Sequence, residues 1–392
     1  RNLRAPVRLV DATACLLRAG HDLFLELGPH PLLLPAMRPQ VGDAVALVPS
    51  LRRDDDERLA LHGARASLYT LGAAPALPPT PTTLVPLSAR SPEALRALAG
   101  ATAATLRARP DLALADLAAT AALHRSHLPH RLAVVARSRD ELLAALDGHA
   151  AGDAPAGLWT GPAEPRTRPR LVLVCSGQGA QWPGMGRELY TTQPVFRAAL
   201  DACDAALRPH LTTSILPELF ADTTTSRLDH TALAQPALWA IQVALAALLR
   251  SWGITPDAVL GHSVGEIAAA HLAGALTLEA AARVVATRGA LMQSAHGHGR
   301  MAAVTTDLAT ATAALHDTKL SDRVAIAAIN DPTTIVLAGE TTALDTLLAT
   351  LARSGVRSRN LRVDYAFHSP QMAPLGPALA PALAALPPAA PT

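Results

Sequence analysis

The sequence predicts an α/β protein, on three observations. Residues 258–260 read as the end of a short buried strand. After them Gly261-His262-Ser263-Val264-Gly265 matches the G-x-S-x-G nucleophile elbow, and an Ala-rich helical run at 267–272 is stopped by Gly274. Residues 171–174 form a continuous apolar strand that runs into Cys175-Ser176-Gly177-Gln178-Gly179-Ala180-Gln181, which is what a ligand-facing loop in an open α/β sheet needs. Residues 301–363 alternate in the order β-α-β-β-α-β, the signature of a ferredoxin-like split βαβ unit.

In chain order, residues 1–71 read as a compact α/β piece. Helical apolar spacing over 7–19 stops at Gly20. A strand at 23–27 leads to the turn Gly28-Pro29-His30-Pro31, a second strand falls at 45–48, and a helix over 54–71 opens with acids. His30, in a turn beside two prolines, is structural. Residues 72–83 are a Pro-rich, stiff connector. Over 84–150, strands at 84–87 and 131–136 and helices at 91–107, 112–123 and 140–146 make a small α/β module with no evident site. His124, His127 and His130 stand three apart, yet Pro129 and the lack of supporting carboxylates favour an exposed loop over a metal centre. Residues 151–169 form a second connector. Helices follow at 194–207, 235–252 and 277–295, the last with Thr277 as N-cap. The split βαβ unit has strands at 301–304, 324–329, 334–338 and 356–363 and helices at 307–315 and 342–353, and it is inserted in the larger sheet domain.

The chain has 392 residues, 50% hydrophobic and 17% charged, with a net charge of +2, enough for more than one core. Near-neutral charge and 3% aromatic residues speak against a nucleic-acid partner. Cys15, Cys175 and Cys203 are too few and too far apart for a disulfide framework or a cysteine metal site. The apolar run 237–249 is too short to span a bilayer and no signal peptide opens the chain, so the expectation is a soluble, cytoplasmic protein with no membrane partner. Arg1 in place of Met suggests a piece of something longer.

The elbow has a physical logic. A strand reversing sharply into a helix brings backbone segments too close for Cβ atoms and calls for φ > 0, so Gly261 and Gly265 are expected to carry both demands. Ser263 is then presented at a helix N-terminus, where free N–H groups favour a developing oxyanion.

Four motifs in order, Gly177-Gln178-Gly179-Ala180-Gln181-Trp182, Gly261-His262-Ser263-Val264-Gly265-Glu266, Thr287-Arg288-Gly289-Ala290-Leu291-Met292 and Ala366-Phe367-His368-Ser369-Pro370, resemble the acyltransferase domain of modular type I polyketide synthases, relatives of malonyl-CoA:acyl carrier protein transacylase. Residues 84–150 are similar to the linker domain between ketosynthase and acyltransferase, through Leu87-Ser88-Ala89-Arg90-Ser91 and His130-Arg131-Leu132-Ala133-Val134-Val135. Residues 1–71 look like the end of an acyltransferase, through Arg1-Asn2-Leu3-Arg4-Ala5-Pro6-Val7-Arg8 and Phe24-Leu25-Glu26-Leu27-Gly28-Pro29-His30-Pro31. The fold implied is an α/β-hydrolase-like large subdomain (170–300, rejoined at 364–392) with the inserted ferredoxin-like small subdomain (301–363).

The resemblance implies a ping-pong transfer. Ser263 is the nucleophile and His368 the general base. Gln178 and Val264 offer backbone N–H groups to the oxyanion, and Arg288 holds the free carboxylate of the extender unit. No bound cofactor or metal is implied; a coenzyme A thioester is the substrate. The partners implied are an acyl carrier protein with its phosphopantetheine thiol, and the ketosynthase and other domains of the same synthase. Val264, residues 231–235 and Phe367 look malonyl-like, whereas Tyr365 belongs to the methylmalonyl pattern, so malonyl-CoA is expected over methylmalonyl-CoA. His262, beside the nucleophile, is expected to pack rather than act as base.

Two other readings stay open. A serine esterase shares the elbow but needs an acid to orient its histidine, and Asp331, Asp345 and Asp364 stand in no convincing site. A catalytically incomplete fragment of a megasynthase is the second. The inverted order, a tail before the body, raises the expectation that residues 1–71 pack beside His368 in cis, with a carbonyl near Ala5 orienting the imidazole.

Overall fold

The computed structural model describes residues 2–73, 83–162, 169–361, 363–384 and 386. In chain order its strands are Val7–Arg8 (β1), Leu23–Leu27 (β2), Ala46–Pro49 (β3), Thr83–Ala89 (β4), His130–Ala136 (β5), Leu158–Thr160 (β6), Leu171–Cys175 (β7), Ala258–Gly261 (β8), Arg300–Thr305 (β9), Val324–Asp331 (β10), Thr334–Gly339 (β11) and Ser358–Asn360 (β12). They form three sheets, in the orders β3-β2-β7-β8, β1-β10-β11-β9-β12 and β4-β5-β6.

The first sheet is wholly parallel and carries the elbow. β2 is inserted between β3 and β7, with Leu23 opposite Leu171 and Leu27 opposite Cys175, and β7 pairs in turn with β8. All five residues of β2 are buried, as a parallel strand covered on both faces requires. Its one polar residue, Glu26, accepts N–H groups from Leu32, Leu33 and Leu34 at 2.8–3.1 Å. Those donors open the helix Leu34–Val41, which the sequence did not announce because prolines punctuate it. One of them lies in the first turn, where the missing N–H costs nothing.

The helix Thr231–Ser251 runs through the main core. It is longer than the apolar run 237–249 implied: by length and composition it suffices to cross a membrane, yet most of it is buried inside the protein. It packs in one cluster with Phe196, Leu200, Val264, Ala268 and Val285, beneath the elbow.

The second sheet has the ferredoxin-like order, with β9, β10, β11 and β12 antiparallel to their neighbours. β1 extends it, Val7 lying parallel to Ala328. The helical spacing read over 7–19 therefore splits into β1 and the helix Leu9–Arg18, and the strand read over 356–363 shrinks to the exposed β12.

The third sheet belongs to the module at 84–150. Its strand β6 lies where a connector was expected, and residues 74–82 and 163–168 of the two connectors fall outside the described residues. Trp159 of β6 packs against Gly63, where a Cβ would sit 2.9 Å from the ring. The helix Glu57–Thr70 also receives His127, whose ring lies 2.9 Å from the Tyr69 hydroxyl, and Arg131, which donates to the Tyr69 and Ala73 carbonyls.

Residues 57 and 188 cap one another's helices. The Glu57 carboxylate accepts from the N–H groups of Gly186, Glu188 and Leu189, while that of Glu188 accepts from the N–H of Glu57 at 3.1 Å. Burial raises the Glu57 carboxyl above its usual range, and these bonds oppose it.

Candidate active site

β8 ends at Gly261 and the helix Gly265–Leu272 begins four residues later. A Cβ on Gly261 would lie 2.4 Å from the Glu266 nitrogen, and one on Gly265 would lie 2.2 Å from the Cys175 carbonyl. Both glycines answer close approach alone. The left-handed backbone expected of them falls instead on Ser263 (φ 55°) and His368 (φ 58°), so the conformational strain sits on the two facing residues themselves.

Ser263 Oγ lies 2.9 Å from His368 Nε2, and His368 Nδ1 lies 2.9 Å from the Ala5 carbonyl oxygen. A carbonyl can only accept, so Nδ1 carries the proton and Nε2 is left as acceptor for the serine hydroxyl. Arg288 Nη2 donates to the same Oγ at 3.1 Å. Arg288 is buried, its Nη1 donating to Gln235 Oε1 at 2.6 Å and its Nε to Asn2 Oδ1 at 2.9 Å. Gln235 Nε2 donates on to Gln178 Oε1, and Gln178 Nε2 to Thr231 Oγ1. Asn2 Nδ2 donates to the Ser263 carbonyl at 3.1 Å and to Glu266 Oε2 at 2.8 Å.

The electrostatics follow from burial. Desolvation and then the Arg288 charge push the His368 imidazole down to about 4, against the Ala5 hydrogen bond, so it is neutral at physiological pH. Desolvation also brings the Arg288 guanidinium down to about 10, with Glu266 opposing, and it stays charged.

Gln178 follows Gly177 at the end of β7, and a Cβ on Gly177 would lie 3.1 Å from the His262 carbonyl and 3.7 Å from Ser263 Cβ. The glycine-rich loop is thus pressed against the elbow. Among the described residues neither the Gln178 nor the Val264 N–H donates to a protein acceptor. His262 turns its Nε2 to Asn330 Oδ1 at 3.2 Å, and burial lowers its pKa. Tyr365 and Phe367 are buried and stacked at 4.8 Å between centroids, packed with Leu3, Val7 and Met292.

None of the three aspartates approaches His368. Asp331 holds the Thr333 N–H and hydroxyl, Asp345 pairs with Arg300, and Asp364 faces His296 at 3.8 Å. The sequence analysis gave no role to Asn2 and Glu266, and read Thr231 and Gln235 only as part of the malonyl-like stretch 231–235. Gln235 had a signal: an amide in an apolar buried helix, one of two there with Gln242, must find partners.

A family model described as "Acyl transferase domain" matches residues 172–392, and one described as "CurL-like, PKS C-terminal" matches residues 83–146. The chain is 43% identical over 314 residues to polyketide synthase GfsA of Streptomyces halstedii, a match covering 80% of this chain and 4% of that protein. It is 44% identical over 291 residues to erythronolide synthase EryA2 of Saccharopolyspora erythraea, covering 74% and 8%. The chain thus spans a small fraction of these relatives. Among solved structures it is similar to the acyltransferase domain from module 8 of the salinomycin polyketide synthase, with TM-score 0.74, 36% identity and coverage of 81% and 74%. It also resembles MCAT from Streptococcus pneumoniae, with TM-score 0.52, 34% identity and coverage of 56% and 72%. With these relatives, and with a serine, an imidazole and a guanidinium meeting on one hydroxyl, the chain belongs to the acyltransferase domains of modular type I polyketide synthases.

Proposed function

We propose that the chain moves an extender acyl unit, malonyl in preference to methylmalonyl, from coenzyme A through acyl-Ser263 to the phosphopantetheine thiol of an acyl carrier protein. The observation that carries this reading is the meeting of His368 Nε2 and Arg288 Nη2 on Ser263 Oγ. Neutral His368 takes the hydroxyl proton as Oγ attacks the thioester carbonyl, and gives it to the leaving coenzyme A thiolate. In the second half-reaction it deprotonates the carrier thiol, which attacks the acyl-serine and regenerates the hydroxyl. Val264 and Gln178 supply N–H groups to the tetrahedral oxyanion. Arg288 takes the free malonyl carboxylate, for which a guanidinium's paired donors are suited. Its present partners there are neutral amides and a hydroxyl, so no protein carboxylate competes. The Phe367 ring, braced by Tyr365, leaves little room for an α-methyl branch, worth about 1–3 kcal/mol of discrimination.

Residues 1–71 contribute the Ala5 carbonyl and residues 84–150 serve as the linker module, with the acyltransferase body divided as 170–300, 301–363 and 364–392. The ketosynthase and carrier protein of the same synthase are the proposed neighbours. The test is intact-mass measurement after mixing with malonyl-CoA: a malonyl adduct localised to Ser263 and absent in Ser263→Ala is expected. A malonyl adduct that persists in Ser263→Ala, or rapid hydrolysis of neutral p-nitrophenyl esters without adduct, would sink the reading.

A further inference from the structure

Asn2 stands between a carboxylate and a guanidinium that would otherwise attract one another. Its Nδ2 donates to Glu266 Oε2 at 2.8 Å, and its Oδ1 accepts from Arg288 Nε at 2.9 Å. The assignment of its amide is forced, because a carboxylate only accepts and a guanidinium only donates. Among the described residues Glu266 and Arg288 form no ion pair, although the Glu266 charge acts on the Arg288 guanidinium. The same Nδ2 also bonds the carbonyl of Ser263, the residue held at φ 55°.

We infer that Asn2 is a positioning residue which keeps Arg288 free for the substrate by separating it from Glu266. This rests on the reading of Arg288 as the site of the extender carboxylate. The amide satisfies the carboxylate from one side and occupies the Nε edge of the guanidinium from the other. The Nη edge is thereby turned towards Ser263 Oγ, where the incoming carboxylate must bind. Arginine has a long stem with many rotamers, and two neutral acceptors, Gln235 and Asn2, hold this one in a single orientation. Without Asn2, the Glu266 carboxylate, whose charge already acts on the guanidinium, is free to turn to it. It becomes an internal competitor for the group that reads malonate, at a site where burial makes an unopposed charge costly.

The structural alternative, that Asn2 merely ties down the N-terminal segment, makes a different forecast. The experiment measures KM and kcat for malonyl-CoA and for acetyl-CoA in the full chain, with Asn2→Ala, Asn2→Ser, Arg288→Ala and Asn2→Ala/Glu266→Gln, and follows thermal unfolding of each. In Asn2→Ala the malonyl-CoA KM should rise at least tenfold with a smaller change in kcat, and the malonyl-to-acetyl preference should fall. Adding Glu266→Gln should restore most of that preference, since a neutral amide cannot pair with the guanidinium. Asn2→Ser, the smaller perturbation, gives the same comparison if Asn2→Ala does not fold. If Arg288→Ala abolishes the preference while the Asn2 variants keep it, or if Glu266→Gln rescues nothing, the positioning role is wrong. If Arg288→Ala itself leaves the preference unchanged, the reading of Arg288 falls and this inference with it.

Discussion

Burial and the Arg288 charge keep the His368 imidazole unprotonated down to about pH 4. For a general base that sets the acid limb of the rate. Acylation of Ser263 by malonyl-CoA should be flat between about pH 8 and pH 5 and fall only as the pH nears the folded-state value, where Nε2 becomes protonated and can no longer accept. A limb centred near the ordinary histidine value would contradict this environment. Stability follows the same sign. The His368 and His62 pKa values are both lowered to about 4 by burial, so the unfolded chain binds protons that the folded one refuses. Their contribution is therefore complete above the unfolded histidine value and is lost as the pH falls from there towards 4. Urea midpoints measured across that window check it. At this scale Ser263, Arg288 and His368 could be read from motifs, because each sits in a local pattern. The role of Asn2 could not, since its partners lie 261 to 286 positions away. Nor could the left-handed backbone of Ser263: local rules assign it to glycine, and here the glycines are consumed by close contacts.

Between elements, the exchange of caps between Glu57 and Glu188 is the clearest joint. Glu57→Ala leaves three backbone N–H groups at the start of the helix Arg187–Thr192 without their acceptor. A cost of about 1–2 kcal/mol is expected, the range for losing a helix cap, seen as a lower urea midpoint with an unchanged slope. Glu57→Gln, which keeps an acceptor oxygen, should cost less. Equal losses for the two variants would show that packing rather than capping is at work. Elements with a clean period, such as β2, β7 and the helix Leu278–Gln293, were legible. The helix Leu34–Val41 was hidden by its own prolines, and β6 by a stretch whose Pro and Gly content reads as connector. In both, tertiary contacts with Glu26 and Gly63 override the local signal.

For the whole molecule, two of the four strands in the elbow's sheet come from residues 1–71, and β2 lies at its centre. A chain lacking residues 1–73 would leave β7 with an open edge, strip an apolar layer from the core, and remove both the Ala5 carbonyl and Asn2. It should bind hydrophobic dyes, lose its near-ultraviolet circular dichroism and form no acyl-serine by mass. Cooperative unfolding with a normal acylation rate would show the segment to be dispensable. Sheet order is the part no local pattern reveals: the strands at 23–27 and 171–174 and the docking of residues 1–71 in cis were legible, but not the order β3-β2-β7-β8.

The bond between Ala5 and His368 closes a separation of 363 residues. Chains with such distant contacts fold slowly, because most of the loop entropy is spent before those contacts form. As the polypeptide leaves the ribosome, β2 and β3 must wait for β7 and then β8, with a bare strand edge presented meanwhile. The imidazole of His368 is made 363 residues after the carbonyl that orients it. A nascent chain that has passed Ser263 but not yet His368 therefore holds the hydroxyl without the imidazole that meets it in the folded protein.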